Sequence, residues 1–177
     1  MSIDSDPQRR PISMRYQDAD YSDPGIYFIT IRTHNGANIF GTIVKGEMVT
    51  NPSGEIVWQV WRVLPKRFPQ ISIDAAIVMP NHFHGIVIIH EEIAKIEEEK
   101  ELAFPIGRRE RRKMTLPLIV GYFKMNTAKQ INQFRGTAGS PVWQRNYYDR
   151  ILRDDRDYEE LSEYIFSNPQ RWGIDKE

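Results

Sequence analysis

Between Ile71 and Ile89 the sequence reads ISIDAAIVMPNHFHGIVII, two apolar, β-branched runs broken by Pro80-Asn81. Runs of this composition form strands, and so short a break folds one back on the other. Residues 71–79 and 83–89 are therefore expected to make an antiparallel hairpin, and the rest of the chain has to be fitted around it. Ile26 to Thr33, with YFITIRT at its centre, is a further strand by its alternation of β-branched and aromatic residues. Asn35-Gly36 is a turn, and short strands at Phe40–Val44 and Glu47–Thr50 flank Lys45-Gly46.

Helical spacing appears in three places. Ile56, Val57, Val60, Trp61 and Leu64 recur at a helical period after Asn51-Pro52-Ser53, so Ser53 is expected to cap a helix running to Phe68 and bent or ended at Pro65. A second long helix is expected from Thr115 to Phe134, and residues 142–152 read as extended. A last helix begins at Asp154 or Asp155. It is expected to stop at Asn168-Pro169, because proline disfavours helix in the residue before it. The order ββ(β)αββαβα gives an α+β fold, a small antiparallel sheet with helices packed on it. Residues 1–24 read as a polar lead-in and 25–177 as one domain, a length that fills a single core. Residues 91–112 read as a charged, exposed connection.

Composition narrows the function classes. With no cysteine, disulfides and thiolate metal sites are excluded, and any metal must be held by His, carboxylate, amide or water. No segment reaches the ~20 unbroken apolar residues of a membrane span, and the first residues lack a signal-peptide core, so a cytoplasmic protein is expected. The net charge is +0. That zero hides a division: Arg108 to Arg153 carries eleven Lys or Arg against Glu110 and Asp149, between the acidic segments 91–101 and 154–177. A basic middle of this kind can set a positive stripe on one face, or simply solvate the surface.

Two constellations carry chemistry. In His82-Phe83-His84 the imidazoles are two apart, so on a strand they share one face while Phe83 takes the other. Paired neutral imidazoles suit a divalent cation, although His-x-His also occurs in ordinary half-buried strands. On the last helix, Tyr158, Leu161 and Ile165 make an apolar stripe. Tyr164 and Asn168, four apart, stack beside it at the helix–sheet boundary. A phenol in that position is commonly packing, and Asn before Pro is an ordinary helix stop. Together the two sets provide a metal and an oxygen nucleophile, which is what phosphodiester transfer requires.

The segment AIVMPNHFHGIVII resembles the HUH motif, in which a bulky hydrophobic residue separates two histidines. VWQRNYYDRILRDDRDYEELSEYIFSNPQRWG resembles the C-terminal block of single-tyrosine transposases, in particular the REP-associated tyrosine transposases. GYFKMNTAKQINQF is similar to the basic helix between those blocks, and YSDPGIYFITIRTHN to their opening strand, so the likeness spans Tyr21 to Gly173. The resemblance implies a ferredoxin-like HUH endonuclease. It would bind single-stranded or hairpin DNA, cut it through a 5′-phosphotyrosine and rejoin strands with Mg²⁺ or Mn²⁺. It assigns Tyr164 as nucleophile and His82, His84 and Asn168 as metal ligands, although related transposases often carry Gln at the last position. It leaves open a monomer or a homodimer.

For DNA contact, Lys124, Lys129, Arg135 and Arg145 are expected at the backbone, with Trp143 as a stacking platform for an unstacked base. Arg108, Arg109, Arg111, Arg112 and Lys113 form a denser cluster that could grip a hairpin. The alternatives are a domesticated hairpin-DNA-binding protein with little or no cleavage, and a metal-dependent hydrolase of small phosphoesters. The full set of four site residues favours cleavage over mere binding. The lack of a phosphate-cradling Gly-rich loop counts against the hydrolase.

Overall fold

The structure is a computed structural model that describes residues 24–90 and 115–173. The lead-in, the charged connection and the Arg108–Lys113 cluster lie outside the described residues. The hairpin takes the form its composition dictates: β4 (Ile71–Met79) pairs antiparallel with β5 (His82–Ile89) across Pro80-Asn81. Strand β1 (Gly25–Arg32) lies along the other edge of β5, and β6 (Tyr148–Leu152) along the other edge of β1. The sheet order is thus β4-β5-β1-β6, every neighbour antiparallel. With α1 (Pro52–Arg62) and α3 (Thr115–Arg135) as the crossovers, this is the βαββαβ arrangement of ferredoxin-like domains. The α+β expectation holds.

Between β1 and α1 sits a separate ribbon, β2 (Gly41–Val44) and β3 (Glu47–Thr50). Lys45 and Gly46 both have positive φ, 52° and 79°, which is what a two-residue hairpin turn of matching twist needs. Helix α1 is capped by Asn51 and not by Ser53: the Asn51 side chain accepts from the Gly54 amide at 3.1 Å. Pro52 then takes the first helical position, where a missing N–H costs nothing. Ser53 is buried instead. The helix ends at Arg62, and a short helix α2 (Leu64–Arg67) carries Pro65, so the expected bend is a break.

The sheet has two differently covered faces. Tyr27, Ile29 and Ile31 of β1 and Phe83 and Val87 of β5 pack against α1 and α3, with Trp61, Phe123 and Trp143 filling the centre. On the opposite face Phe28, Ile86, Ala75 and Leu152 meet Ile165 of α4 (Asp155–Arg171), with Tyr158, Leu161 and Tyr164 at the margin. A bulge in β4 reconciles these patterns. Between Ile73 and Ala76 the strand carries one residue more than its partner. Before the bulge Ile71 and Ile73 face α1 and α3; after it Ala76 and Val78 do. The extra residue turns Asp74 toward α4, where it accepts a hydrogen bond from the Tyr158 hydroxyl at 2.5 Å.

Helix α4 starts as expected, with Asp154 accepting from the Asp157 amide at 2.8 Å. It does not stop at Asn168 but runs through Pro169 to Arg171. The proline costs one hydrogen bond, the one to the Ile165 carbonyl, near the helix end where few remain to lose. Burial of Ile165, Asn168 and Pro169 against the sheet offsets the local preference.

Gly85 is where α1 rests on the sheet: a Cβ there would lie 2.8 Å from two ring carbons of Trp61 and 2.9 Å from Phe83. Gly85→Ala should therefore destabilise the domain by about 1–3 kcal/mol through overpacking. Gly121→Ala, on α3 with nothing within 4 Å of the added carbon, should stabilise it by about 0.5–1 kcal/mol. Urea unfolding of the two variants checks the pair, and equal shifts would contradict this packing.

Candidate active site

Strand alternation delivers the site. On β1, Phe28, Thr30 and Arg32 point away from the large core, and on β5 His82 and His84 do the same. The register sets Thr30 opposite His84 and Arg32 opposite His82. These side chains, with Tyr148, Leu161 and Tyr164, line a cleft of about 460 Å³ between the sheet and α4.

The imidazoles are held from behind. Asn81 Oδ1 lies 2.7 Å from His82 Nδ1, and as a carbonyl oxygen it accepts, so that nitrogen carries the proton. Thr30 Oγ1 lies 2.8 Å from His84 Nδ1. The rings meet edge to face at 4.5 Å between centroids, and Phe28 stacks on His84 at 5.3 Å. Burial pushes the His82 pKa down to about 4, helped by the Arg32 charge and opposed by the nearby Asn168 side chain. Burial likewise holds His84 well below its usual value, with the charges of His82 and Arg32 adding to it. Both rings are therefore neutral at pH 7 and keep lone pairs to offer. His84 Nε2 is buried and makes no hydrogen bond.

Helix α4 completes the arrangement. The Tyr164 ring stands edge-on to His84 at 5.3 Å and to Phe28 at 6.3 Å. Asn168, one turn further and buried, lies close enough to His82 to oppose the fall in its pKa. Trp172, just past the helix end, approaches the His82 ring at 6.0 Å. His82, His84, Tyr164 and Asn168 thus come together. Among the described residues no cluster of three or more His, Cys, Asp or Glu side chains could hold a metal. A cation in the cleft would rely on two imidazoles and an amide oxygen. The buried His84 Nε2, which has no partner, fits such a group in the tautomer whose Nδ1 donates to Thr30 Oγ1, since a cation is then the partner that its desolvated lone pair lacks.

The sequence reading missed Thr30, Asn81, Arg32 and Tyr148. The first and third could have been found, because polar residues at alternate positions of YFITIRT mark the face that is not core. Asn81 and Tyr148 gave no such signal. Tyr158 is tied to Asp74, and that bond raises its pKa.

The expected DNA contacts divide. Lys129, Arg135 and Arg145 are exposed. Trp143 is a correction: it is only 7% exposed, packs on Phe40 and Phe123, and donates through Nε1 to Thr127 Oγ1 at 2.8 Å. It belongs to the core and offers no face to a base. Its strong β and apolar character fits the core as well as a platform, which is why the sequence did not separate them. Lys124 is half-buried. Its ammonium donates to the carbonyls of Gln144 and Arg145 at 2.6 and 2.8 Å, tying α3 to the segment before β6.

No family model matches the chain. An uncharacterised protein of Haemophilus influenzae is 36% identical over 165 residues, covering 93% of this chain and 91% of its own length. The chain belongs to that protein's family. Among solved structures, a REP-associated tyrosine transposase bound to a REP hairpin superposes with a TM-score of 0.51 at 18% identity, covering 86% of this chain and 71% of that one. The fold of this family member is therefore that of a known transposase. A chain from Deinococcus radiodurans superposes at 0.47 and 13% identity, covering 86% and 96%, too loosely to build on. Among the described residues no helix is long and apolar enough to cross a membrane.

If Trp143 were a stacking platform, its loss would weaken DNA binding and spare stability. As a core residue, Trp143→Ala should cost about 3–5 kcal/mol of stability in urea unfolding. Retention of wild-type stability would restore the platform.

Proposed function

We propose that the chain is a single-strand DNA endonuclease and strand transferase, with Tyr164 as nucleophile and a divalent cation, Mg²⁺ or Mn²⁺, as cofactor. The observation that carries this reading is one cleft joining His82, a buried His84 Nε2 without a partner and the Tyr164 phenol, with Asn168 buried one turn beyond Tyr164 on the same helix. A packing role for the same residues would have no use for a buried imidazole nitrogen without a partner. The likeness to a transposase solved with a hairpin supports single-stranded or hairpin DNA as the substrate class.

His82, His84 and Asn168 would hold the cation, with Thr30 and Asn81 fixing the two rings from behind. When bound, the cation supplies Lewis-acid polarisation of a non-bridging phosphate oxygen. Tyr164 attacks that phosphorus through its phenol oxygen. The new bond is Tyr164 Oη–P, the broken bond is P–O3′, and the phenol's proton is matched by the one taken up at the 3′-oxygen. The phosphotyrosine keeps the phosphodiester energy, so a later 3′-hydroxyl can reverse the step and join strands without ATP. Closing the cleft with Leu161 and Phe28 keeps apolar walls around the reacting atoms. Lys129, Arg135 and Arg145 supply exposed charge for the phosphate backbone.

Incubation with hairpin-bearing single-stranded oligonucleotides and Mn²⁺ should give a protein–DNA adduct that survives denaturation, mapped by mass spectrometry to Tyr164. Tyr148, which shares the cleft, is the competitor that mapping must exclude. Tyr164→Phe, His82→Ala and His84→Ala should each abolish the adduct while hairpin affinity changes little. An adduct on Tyr148, or full cleavage in excess chelator, would overturn the assignment. Tight hairpin binding with no adduct under any divalent metal would make the chain a binding protein instead.

Thr30→Val removes the hydroxyl behind His84 at nearly constant volume. It should weaken Mn²⁺ binding by about 10- to 100-fold in calorimetry, the usual cost of losing an outer-shell partner. Unchanged affinity would mean that His84 is not a ligand.

A further inference from the structure

The cleft is roofed unevenly. Helix α4 covers the end of β6, where Leu152 is buried and Arg150 pairs with Asp157. It leaves the start of that strand open, and there Tyr148 lines the cleft while 44% exposed. The other two tyrosine and phenylalanine rings of the cleft are less open: Phe28 is buried and stacks on His84, and Tyr164 is half-buried. Strand alternation separates Tyr148 from Tyr147, which packs against the large core. β6 is the outer strand, so the Tyr148 ring stands at the edge of the sheet. The register sets Tyr148 opposite Thr30 on one side of β1 and His84 opposite Thr30 on the other. The backbones of Tyr148 and His84 therefore lie two strand spacings apart, about 10 Å. Strand propensity would account for a ring packed on its neighbours, but this one turns much of its surface to water at the mouth of the cleft.

Resting on the proposed function, we infer that Tyr148 is a stacking platform for an unpaired nucleobase of the single-stranded segment that enters the cleft. Every base has a π-face, so an open aromatic ring beside a backbone site holds a base without reading its identity. Bases of a duplex are stacked on one another and paired, so this subsite selects an unpaired strand. With the scissile phosphate at His84 and Tyr164, the Tyr148 ring is within reach of a flanking nucleotide. The platform expected at Trp143, which the core consumes, thus falls to a residue of the cleft itself. The ring carries the contact, and the hydroxyl takes no part in it.

Binding of the full chain to two probes in excess chelator tests this, so that no cleavage enters the measurement. One probe is a DNA hairpin with a single-stranded deoxyadenosine tail, and the other is the same hairpin with every tail base removed. On the adenosine tail Tyr148→Ala should bind about 5- to 150-fold more weakly than wild type, the usual effect of losing one stacked base. Tyr148→Val, a strand former without a ring, should match Ala, and Tyr148→Phe should stay within about twofold of wild type. On the abasic tail all four chains should bind alike, because the partner of the ring is gone. A merely structural tyrosine would weaken both probes equally. Equal loss on the two tails, a Phe variant as weak as Ala, or wild-type binding by Ala and Val would each overturn the platform while leaving the Tyr164 reading intact. A wild-type chain that binds neither hairpin and forms no adduct with Mn²⁺ overturns both.

Discussion

The antiparallel register of β1 against β5 is the constraint on which both the packing and the site depend. With Thr30 opposite His84 and Ile31 opposite Phe83, one set of alternate side chains fills the core and the other set faces the cleft. A slip of one residue would exchange the sets, sending Thr30 and Arg32 into contact with Trp61 and bringing Ile29 and Ile31 to the histidines. The hydrophobic effect fixes this register without reference to chemistry. Tyr27, Ile29 and Ile31 are each no more than 1% exposed, and at about 25 cal/mol per Å² no alternative pairing could recover their burial. The site inherits its accuracy from the core behind it.

That dependence explains what was legible in the sequence. The strands of the central sheet could be read because their apolar alternation is the same feature that sets their register. His82 and His84 followed directly from a period of two. Tyr164 and Asn168 followed from a period of four on a helix whose start was marked by Asp154. What could not be read depends on contacts between distant segments. Trp143 had the character of a core residue and of a stacking platform alike, and only its meeting with Phe40, Phe123 and Thr127 decides. That Lys124 also ties α3 to the segment before β6 could not be read, because the carbonyls it meets come from residues 144 and 145. The stop at Pro169 failed for the same reason: a local preference of the backbone was outweighed by burial that the local sequence does not record.

The β4 bulge shows how much one residue can do. By adding a residue between Ile73 and Ala76 it lets the strand serve the large core along its whole length while sending Asp74 to the helix side. The hydrogen bond from Tyr158 to Asp74 then anchors α4 about two turns before Tyr164. At the other end the tip of the β2–β3 ribbon meets the same helix, since a Cβ on Gly46 would lie 3.7 Å from Gln170. Neither contact touches the cleft, yet both bear on where the phenol stands.

The two faces of the sheet are unequal in what they bury. The face beneath α1 and α3 carries most of the large aromatic side chains, whereas α4 covers a smaller set around Phe28, Ile86 and Ile165. Lifting α4 exposes only that smaller set and leaves the rest of the domain assembled, so it costs less than unfolding the whole. The proposed nucleophile thus rides on an element that covers the smaller of the two cores, and the histidines sit on β5 at the centre of the sheet. A strand of DNA joined to Tyr164 would be tethered to the part of the protein best able to swing without loss of the fold.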